Sequence, residues 1–324
     1  MKKLLFLLLI ILLGVGVGFL TEKRTPSITV EKPAINTPVV LPTQQAGINV
    51  LPTPIISSIS PFSLPTTVDE YVVSSVFATP SSIASHFGFQ IEPKTIIGSL
   101  GTSYVWNTQN QSLIVEGDPL VVAFSQKVLT NVPLNKSTEE YEAIAKRALL
   151  SIPGQSKEIS YRLTKTLFTP GDTGGQGTNK TPPTAVLFYY QYYLANLPIF
   201  FGSPSLSLAS VAITASGDIL SLQTHIFPAF SQTANKASLL TYDILIKNIQ
   251  TTAIFTRYVD ETDPSQNYKA TDISPQSISV TNAVLGYYFV PNEQKLVPIV
   301  VFTGIGRSVT GKQIVATFFS RASR

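Results

Sequence analysis

Nucleophilic catalysis needs a base held beside a serine or threonine, and the two imidazoles of this chain are His86 and His225. No G-x-S-x-G elbow presents a serine to either of them. His86 falls in the last turn of a short predicted helix, where an imidazole interacts favourably with the helix dipole. His225 stands between Thr224 and Ile226 near the end of a predicted strand. The glycine-rich stretch at 171–177 has the composition of a phosphate cradle. It lacks a following Lys-Ser/Thr and opens into no helix, so neither aligned amides nor a helix dipole would face an anion, and a loop between strands is expected. Asp260, Glu261 and Asp263 could offer oxygens to calcium, yet the spacing lacks the glycine and distal glutamate of a helix–loop–helix calcium site and is broken by Pro264. With no cysteine in the chain there is no thiolate ligand and no disulfide. The spacing thus designates no catalytic residue, no cofactor-binding residue and no metal ligand.

The densest cluster able to bind something is aromatic: Tyr189, Tyr190, Tyr192 and Tyr193. On a strand, Tyr190 and Tyr192 share one face while Tyr189 and Tyr193 share the other. Such a strand either runs through the middle of a sheet, with core on one side and a half-covered surface on the other, or presents an exposed aromatic strip to a peptide or glycan.

The elements around that strand follow from punctuation and periodicity. Thr79, Pro80 and Gly88 bracket a short helix with Ile83, Ala84 and Phe87 on one face. Ser137 and Glu140 make a capping box for a second helix, whose Tyr141, Ile144, Ala145, Ala148 and Leu149 recur at helical spacing until Pro153 and Gly154. Thr241 caps a third, with Ile244, Leu245 and Ile249 apolar. Strands are predicted at 103–106 and 112–115 as a hairpin, then at 120–124, 159–168, 185–193, 206–215, 219–226, 277–289, 296–304 and 313–319. Ala185-Val186-Leu187-Phe188-Tyr189-Tyr190 is echoed by Ala283-Val284-Leu285-Gly286-Tyr287-Tyr288, and Leu197-Pro198-Ile199 by Val297-Pro298-Ile299, which suggests an internal repeat. The expected fold class is α+β: two or three helix-plus-antiparallel-sheet units after an N-terminal transmembrane helix.

Leu4 to Leu20 is an almost unbroken apolar run behind Lys2 and Lys3. It fits a secretory signal or a short membrane-spanning helix, and both imply export. Gly14, Gly16 and Gly18 match an A-x-A-like cleavage site poorly, so a retained single-pass anchor is favoured, with the folded body outside the cytoplasm. Pro26, Pro33, Pro38, Pro42, Pro52, Pro54, Pro61 and Pro65 then interrupt every helix and predict an extended tether, although Val39 to Leu41 and Ile55 to Ile59 are apolar enough to pack on the body as edge strands. The organisation expected is an anchor at 1–24, a Pro/Thr/Ser-rich tether at 25–66, and units at 67–131, 132–232 and 233–324. At 44% hydrophobic residues the chain can bury a sizeable core. Its net charge of +4 carries no nucleic-acid footprint: the first 24 residues hold four of the 23 Lys and Arg and one of the 19 acids, so the remainder nets +1.

The helix start Leu239-Leu240-Thr241-Tyr242-Asp243, the strand Val284-Leu285-Gly286-Tyr287-Tyr288 and the strand Leu296-Val297-Pro298-Ile299-Val300-Val301-Phe302 with Gly304 resemble PepSY-type and YycH/YycI-type extracytoplasmic domains. The segment from Tyr190 through Phe200 to Ile219 is similar to them as well. The resemblance spans roughly residues 137 to 319, and the long Pro-rich tether and the extra N-terminal unit depart from it. It implies cystatin-like units on a single membrane anchor that bind or restrain another envelope protein, such as a sensor kinase or a peptidase. No catalytic residue comes with it. The expectation is a non-catalytic, membrane-tethered regulatory or protein-binding module; an envelope hydrolase with an unrecognised site and a structural subunit of a surface assembly are the alternatives.

Overall fold

The computed structural model describes residues 56–60, 62–73, 78–98, 101–117, 120–127, 132–169, 182–201, 208–252, 254–260, 278–290, 293, 295–308 and 310–323. All of them belong to one unit, Gln44–Arg324. The expected anchor, most of the tether, the glycine-rich stretch at 171–177, Glu261 and Asp263 lie outside the described residues. Among the described residues no helix is long and apolar enough to cross a membrane.

In chain order the elements begin with β1 (Ile56–Ile59), β2 (Thr67–Val73), α1 (Pro80–His86), β3 (Lys94–Gly98), β4 (Gly101–Asn107), β5 (Gln111–Glu116) and β6 (Leu120–Gln126). Next come α2 (Thr138–Leu150), β7 (Ile159–Thr169), β8 (Ala185–Leu194), β9 (Leu197–Phe200), β10 (Leu208–Thr214), β11 (Ile219–Ile226) and β12 (Phe230–Ser238). The chain continues through α3 (Tyr242–Thr252), β13 (Ile254–Asp260), β14 (Ile278–Val290), β15 (Lys295–Arg307) and β16 (Gln313–Arg321).

Strand takes 59% of the described residues and helix 14%, which overturns the expected α+β architecture of helix-plus-sheet units. The described residues are mostly β, with sixteen strands among them joined in one hydrogen-bonded network. The physical reason lies in the edges. A helix-backed meander leaves two bare rows of backbone donors and acceptors, and here those rows are taken up by strands from elsewhere in the chain: β6 pairs with β11, and β2 pairs with β12 and β15.

The first part of the network is an all-antiparallel sheet in the order β3–β4–β5–β6–β11–β10–β8–β7. Its inward positions alternate along each strand, with Trp106, Leu113, Val122, Phe124, Leu222, Val211 and Phe188 all buried. Two helices cover this side. Helix α1 starts at Thr79, whose Oγ1 accepts the Ser82 amide at 3.2 Å, and the adjoining Phe87 ring stacks on Phe124 at 4.6 Å. Helix α2 packs on β8, β10 and β11 through Tyr141, Ala145 and Leu149, each no more than 1% exposed. Its capping box is complete: the Glu140 amide donates to Ser137 Oγ at 3.2 Å and the Ser137 amide donates to Glu140 Oε2 at 2.9 Å. Ser137→Ala removes an acceptor for an otherwise orphaned helix donor. It is expected to lower unfolding stability by about 1 kcal/mol, read as a lower urea midpoint with unchanged slope.

In the second part β13–β16–β15–β14 run antiparallel, and β1 and β9 lie parallel to the far edge of β14. Phe302 and Phe318 stack at 5.3 Å, and α3 lies against β16 with Leu245 and Ile249 buried. The end of the expected tether is therefore structured. Ile56–Ile59 is a strand on β14, and the Phe62 ring sits 5.7 Å from Phe302 and 5.0 Å from Tyr242. The alternative of an edge strand at Ile55 to Ile59 describes Ile56–Ile59, which satisfies backbone groups by pairing with β14; Val39 to Leu41 lie outside the described residues.

Strand β9 pairs with β8 on one side and with β14 on the other, and so ties the two parts together. Around it the core is aromatic: Phe227 lies 5.0 Å from Tyr192 and 5.9 Å from both Phe201 and Phe289. Both copies of the sequence echo form hairpins in which proline stands opposite tyrosine, Pro198 with Tyr193 and Pro298 with Tyr287.

Candidate functional site

Strand β8 runs between β7 and β10, so its alternate side chains meet different surroundings. Val186, Phe188, Tyr190 and Tyr192 are fully buried on the side that α2 covers. Leu187, Tyr189, Gln191 and Tyr193 point to the opposite face and are half-buried. The aromatic cluster of the sequence is thereby divided in two. Tyr190 and Tyr192 belong to the core, while Tyr189 and Tyr193 line the opposite sheet face, on which no described helix packs.

The core pair is held by polar contacts of unequal quality. The Tyr192 hydroxyl accepts the His225 amide at 3.0 Å and lies 3.2 Å from Thr224 Oγ1 and 3.4 Å from His225 Nδ1. The Tyr190 and Tyr161 hydroxyls are buried without a partner, and their rings meet edge-on at 6.2 Å. Burial raises the pKa of all three phenols well above the ordinary value. They stay neutral, and none of them is a base at physiological pH.

On the face away from α2 the arrangement is cationic and aromatic. The Arg162 guanidinium sits 3.8 Å from the centroid of the Tyr193 ring, and its Nη2 is 3.5 Å from Asn196 Oδ1. A β-bulge between Leu163 and Lys165 sets Lys165 opposite Tyr189. The intervening Thr164 donates its hydroxyl to the Tyr189 carbonyl at 3.0 Å. From β10, Leu208, Ser210 and Ala212 continue the same rows beside Gln191, Tyr189 and Leu187. Gln191 Nε2 donates to the Ile199 carbonyl at 2.8 Å, which ties β8 to β9 beyond their turn. None of the outward positions of β7, β8 and β10 is acidic. Arg162 is supported by a cation–π contact with Tyr193, and Lys165 shares its ladder position with Tyr189.

The imidazoles are placed apart. His225 is buried, with its ring 3.6 Å from that of Phe201, and burial depresses its pKa to about 3. Among the described residues its side-chain neighbour within hydrogen-bonding range is the Tyr192 phenol. His86 is exposed, and its Nε2 lies 3.4 Å from Ser151 Oγ. Ser151 Oγ instead donates to the Ala148 carbonyl at 2.9 Å, so its proton points away from the imidazole, and the pair is not an activated nucleophile. Among the described residues no group of three His, Asp or Glu side chains converges as a metal site would require.

Alternation along β8 could be read from the sequence, and it places Tyr189 with Tyr193 correctly. Arg162 and Lys165 carried no such signal, since their position over the tyrosines depends on the β7–β8 register and on a bulge. Comparison of the chain with protein-family models, with curated proteins and with solved structures finds no match in any of the three.

Proposed function

We propose that this chain is a membrane-tethered, extracytoplasmic protein-binding module of the cell envelope that acts by contact rather than by catalysis. Its docking surface is the face of β7, β8 and β10 away from α2, and the partner is an acidic segment of another envelope protein, of the sensor-kinase or peptidase type. The observation that carries this reading is the pair of cation–aromatic neighbours on a face without acids, Arg162 with Tyr193 and Lys165 with Tyr189. Such groups supply the two ingredients of a protein-binding hot spot, a rigid amphipathic ring and a charge. The apolar run at Leu4–Leu20 supports attachment to a membrane, where a tether raises the effective concentration of a weak site toward partners in the same bilayer.

The test compares the full-length wild type with the Arg162→Glu/Lys165→Glu double variant, each isolated from membranes after mild cross-linking. Both positions are exposed, so the variant should melt like the wild type. One envelope protein is expected to be recovered with the wild type and reduced about tenfold or more with the variant, corresponding to about 1.4 kcal/mol of lost binding. Equal recovery from both chains would refute the assignment of this face.

A further inference from the structure

The two edges of the eight-stranded antiparallel sheet are built differently. At one end β7 carries the defences that keep an edge from recruiting another strand: a bulge between Leu163 and Lys165 and the cations Arg162 and Lys165. At the other end, among the described residues, β3 is paired only through β4, and every one of its five residues is exposed. Ile97 is 83% exposed and Ile96 46%, with Ile91 at 54% just before the strand. It contains no proline and no bulge, and a single charge, Lys94, stands at its first position. Two isoleucines on opposite faces of an unguarded edge offer both free ladder groups and apolar area to an incoming strand.

We infer that β3 pairs with β3 of a second copy of this chain, antiparallel about a two-fold axis at Ile96. The register follows from geometry. A two-fold perpendicular to the sheet keeps the two faces of the pleat in line only if directly opposed residues differ by an even number of positions. Of the registers that satisfy this, the one centred on Ile96 pairs all five residues: Lys94 with Gly98, Thr95 with Ile97, and Ile96 with its own counterpart. Centring on Thr95 or Ile97 shortens the ladder to three residues. The full register also sets each lysine against a glycine, so no like charges meet across the ladder, and it covers the most exposed isoleucine in each copy. A second copy therefore complements this edge in length, charge and face. The contact lies at the far edge of the sheet from the face around Tyr189 and does not depend on it.

The absence of cysteine from the chain makes the test direct. Single-cysteine variants Ile96→Cys, Lys94→Cys and Gly98→Cys of the full-length protein are expressed in membranes, treated with a mild oxidant and run on a non-reducing gel. Opposed Cα atoms in an antiparallel pair lie about 4.5–5.5 Å apart, within disulfide range. Ile96→Cys is expected to convert most of the chain to a dimer. Lys94→Cys and Gly98→Cys alone place the two sulfurs roughly four residues apart along the ladder, about 13 Å, and should stay monomeric. Mixing the latter two variants before oxidation should restore the dimer. No cross-link at Ile96, or equal cross-linking at all three positions, overturns the proposal; so does a wild-type mass of one chain by light scattering in detergent. Because Ile96 is on the surface, the reduced Ile96→Cys variant should unfold at the wild-type urea concentration, which separates loss of pairing from loss of fold.

Discussion

Acidification from pH 7 to pH 4 should remove about 3 kcal/mol of stability through His225 alone. The imidazole is enclosed by Phe201, Tyr192 and Thr224, and burial depresses its pKa from 6.5 to about 3. The unfolded chain therefore takes up a proton near pH 6.5, whereas the folded chain resists it until about pH 3. Since the unfolded state binds more protons in that interval, stability is complete above pH 6.5 and falls as the pH drops toward 3, levelling off below it. The slope is about 1.4 kcal/mol per pH unit. Glu158, whose pKa is lowered by its hydrogen bond from Ser156, acts only under more acidic conditions, where an ordinary glutamate would begin to protonate. Above about pH 5.5 the histidine therefore acts alone, and below it Glu158 and Glu139, both held under the ordinary glutamate value, add their losses equally in wild type and variant. Urea unfolding at half-unit steps should show the full slope in the wild type and a much flatter line in His225→Gln, whatever the stability of that variant at pH 7. Equal slopes in the two proteins would show that His225 is accessible to protons in the folded state.

The second large effect is expected at Gly286. A Cβ at this position of β14 would lie 2.6 Å from the Pro198 carbonyl oxygen and 2.7 Å from Cε2 of Phe200. Real Cβ atoms do not approach so closely, and the obstacle is backbone on one side and a ring 6% exposed on the other. The glycine is required where β9 leaves β8 and closes on β14, with Tyr287 opposite Ile199 and Tyr288 opposite Phe200. Gly286→Val should force β9 away from β14 and destabilise the protein by about 3 kcal/mol, lowering the melting temperature by about 6–12 °C. Gly98→Ala serves as the control, because its Cβ would meet a single atom at ordinary contact distance, 3.8 Å. A Gly286→Val protein that melted with the control would mean that the β9–β14 contact carries little of the stability.

The elements that were legible in the sequence share strong local signals. Thr79-Pro80, the Ser137–Glu140 capping box and Thr241 mark the three helices among the described residues, and the apolar stretches around Phe188, Val211, Leu285 and Val300 lie in strands. Of the strands without an expectation, β2 and β13 carry β-branched and aromatic residues that could have marked them, while β3 and β12 have no such signal. In β12 only Phe230 is buried, and the remaining residues are polar or small. In β3 no residue is buried at all. These strands exist because a neighbour offers a ladder, β2 for β12 and β4 for β3, and a ladder partner leaves no mark on hydrophobic periodicity.

The same division runs through the candidate site. A period of two along β8 puts Tyr189 with Tyr193 and Tyr190 with Tyr192 on any sheet, because it follows from the geometry of an extended chain. Which pair faces the core was settled by α2 packing on β8, β10 and β11. The stacking of Arg162 on Tyr193 depends on a strand 31 residues away, and the place of Lys165 opposite Tyr189 on a one-residue bulge. By itself the amino-acid sequence determined where the chain is helical or extended and which residues alternate, since those properties act over a few residues. Only the tertiary structure decided that the strands join one network instead of separate helix-backed units, because unpaired backbone groups at a strand edge are satisfied by whichever edge lies near, however distant in the chain.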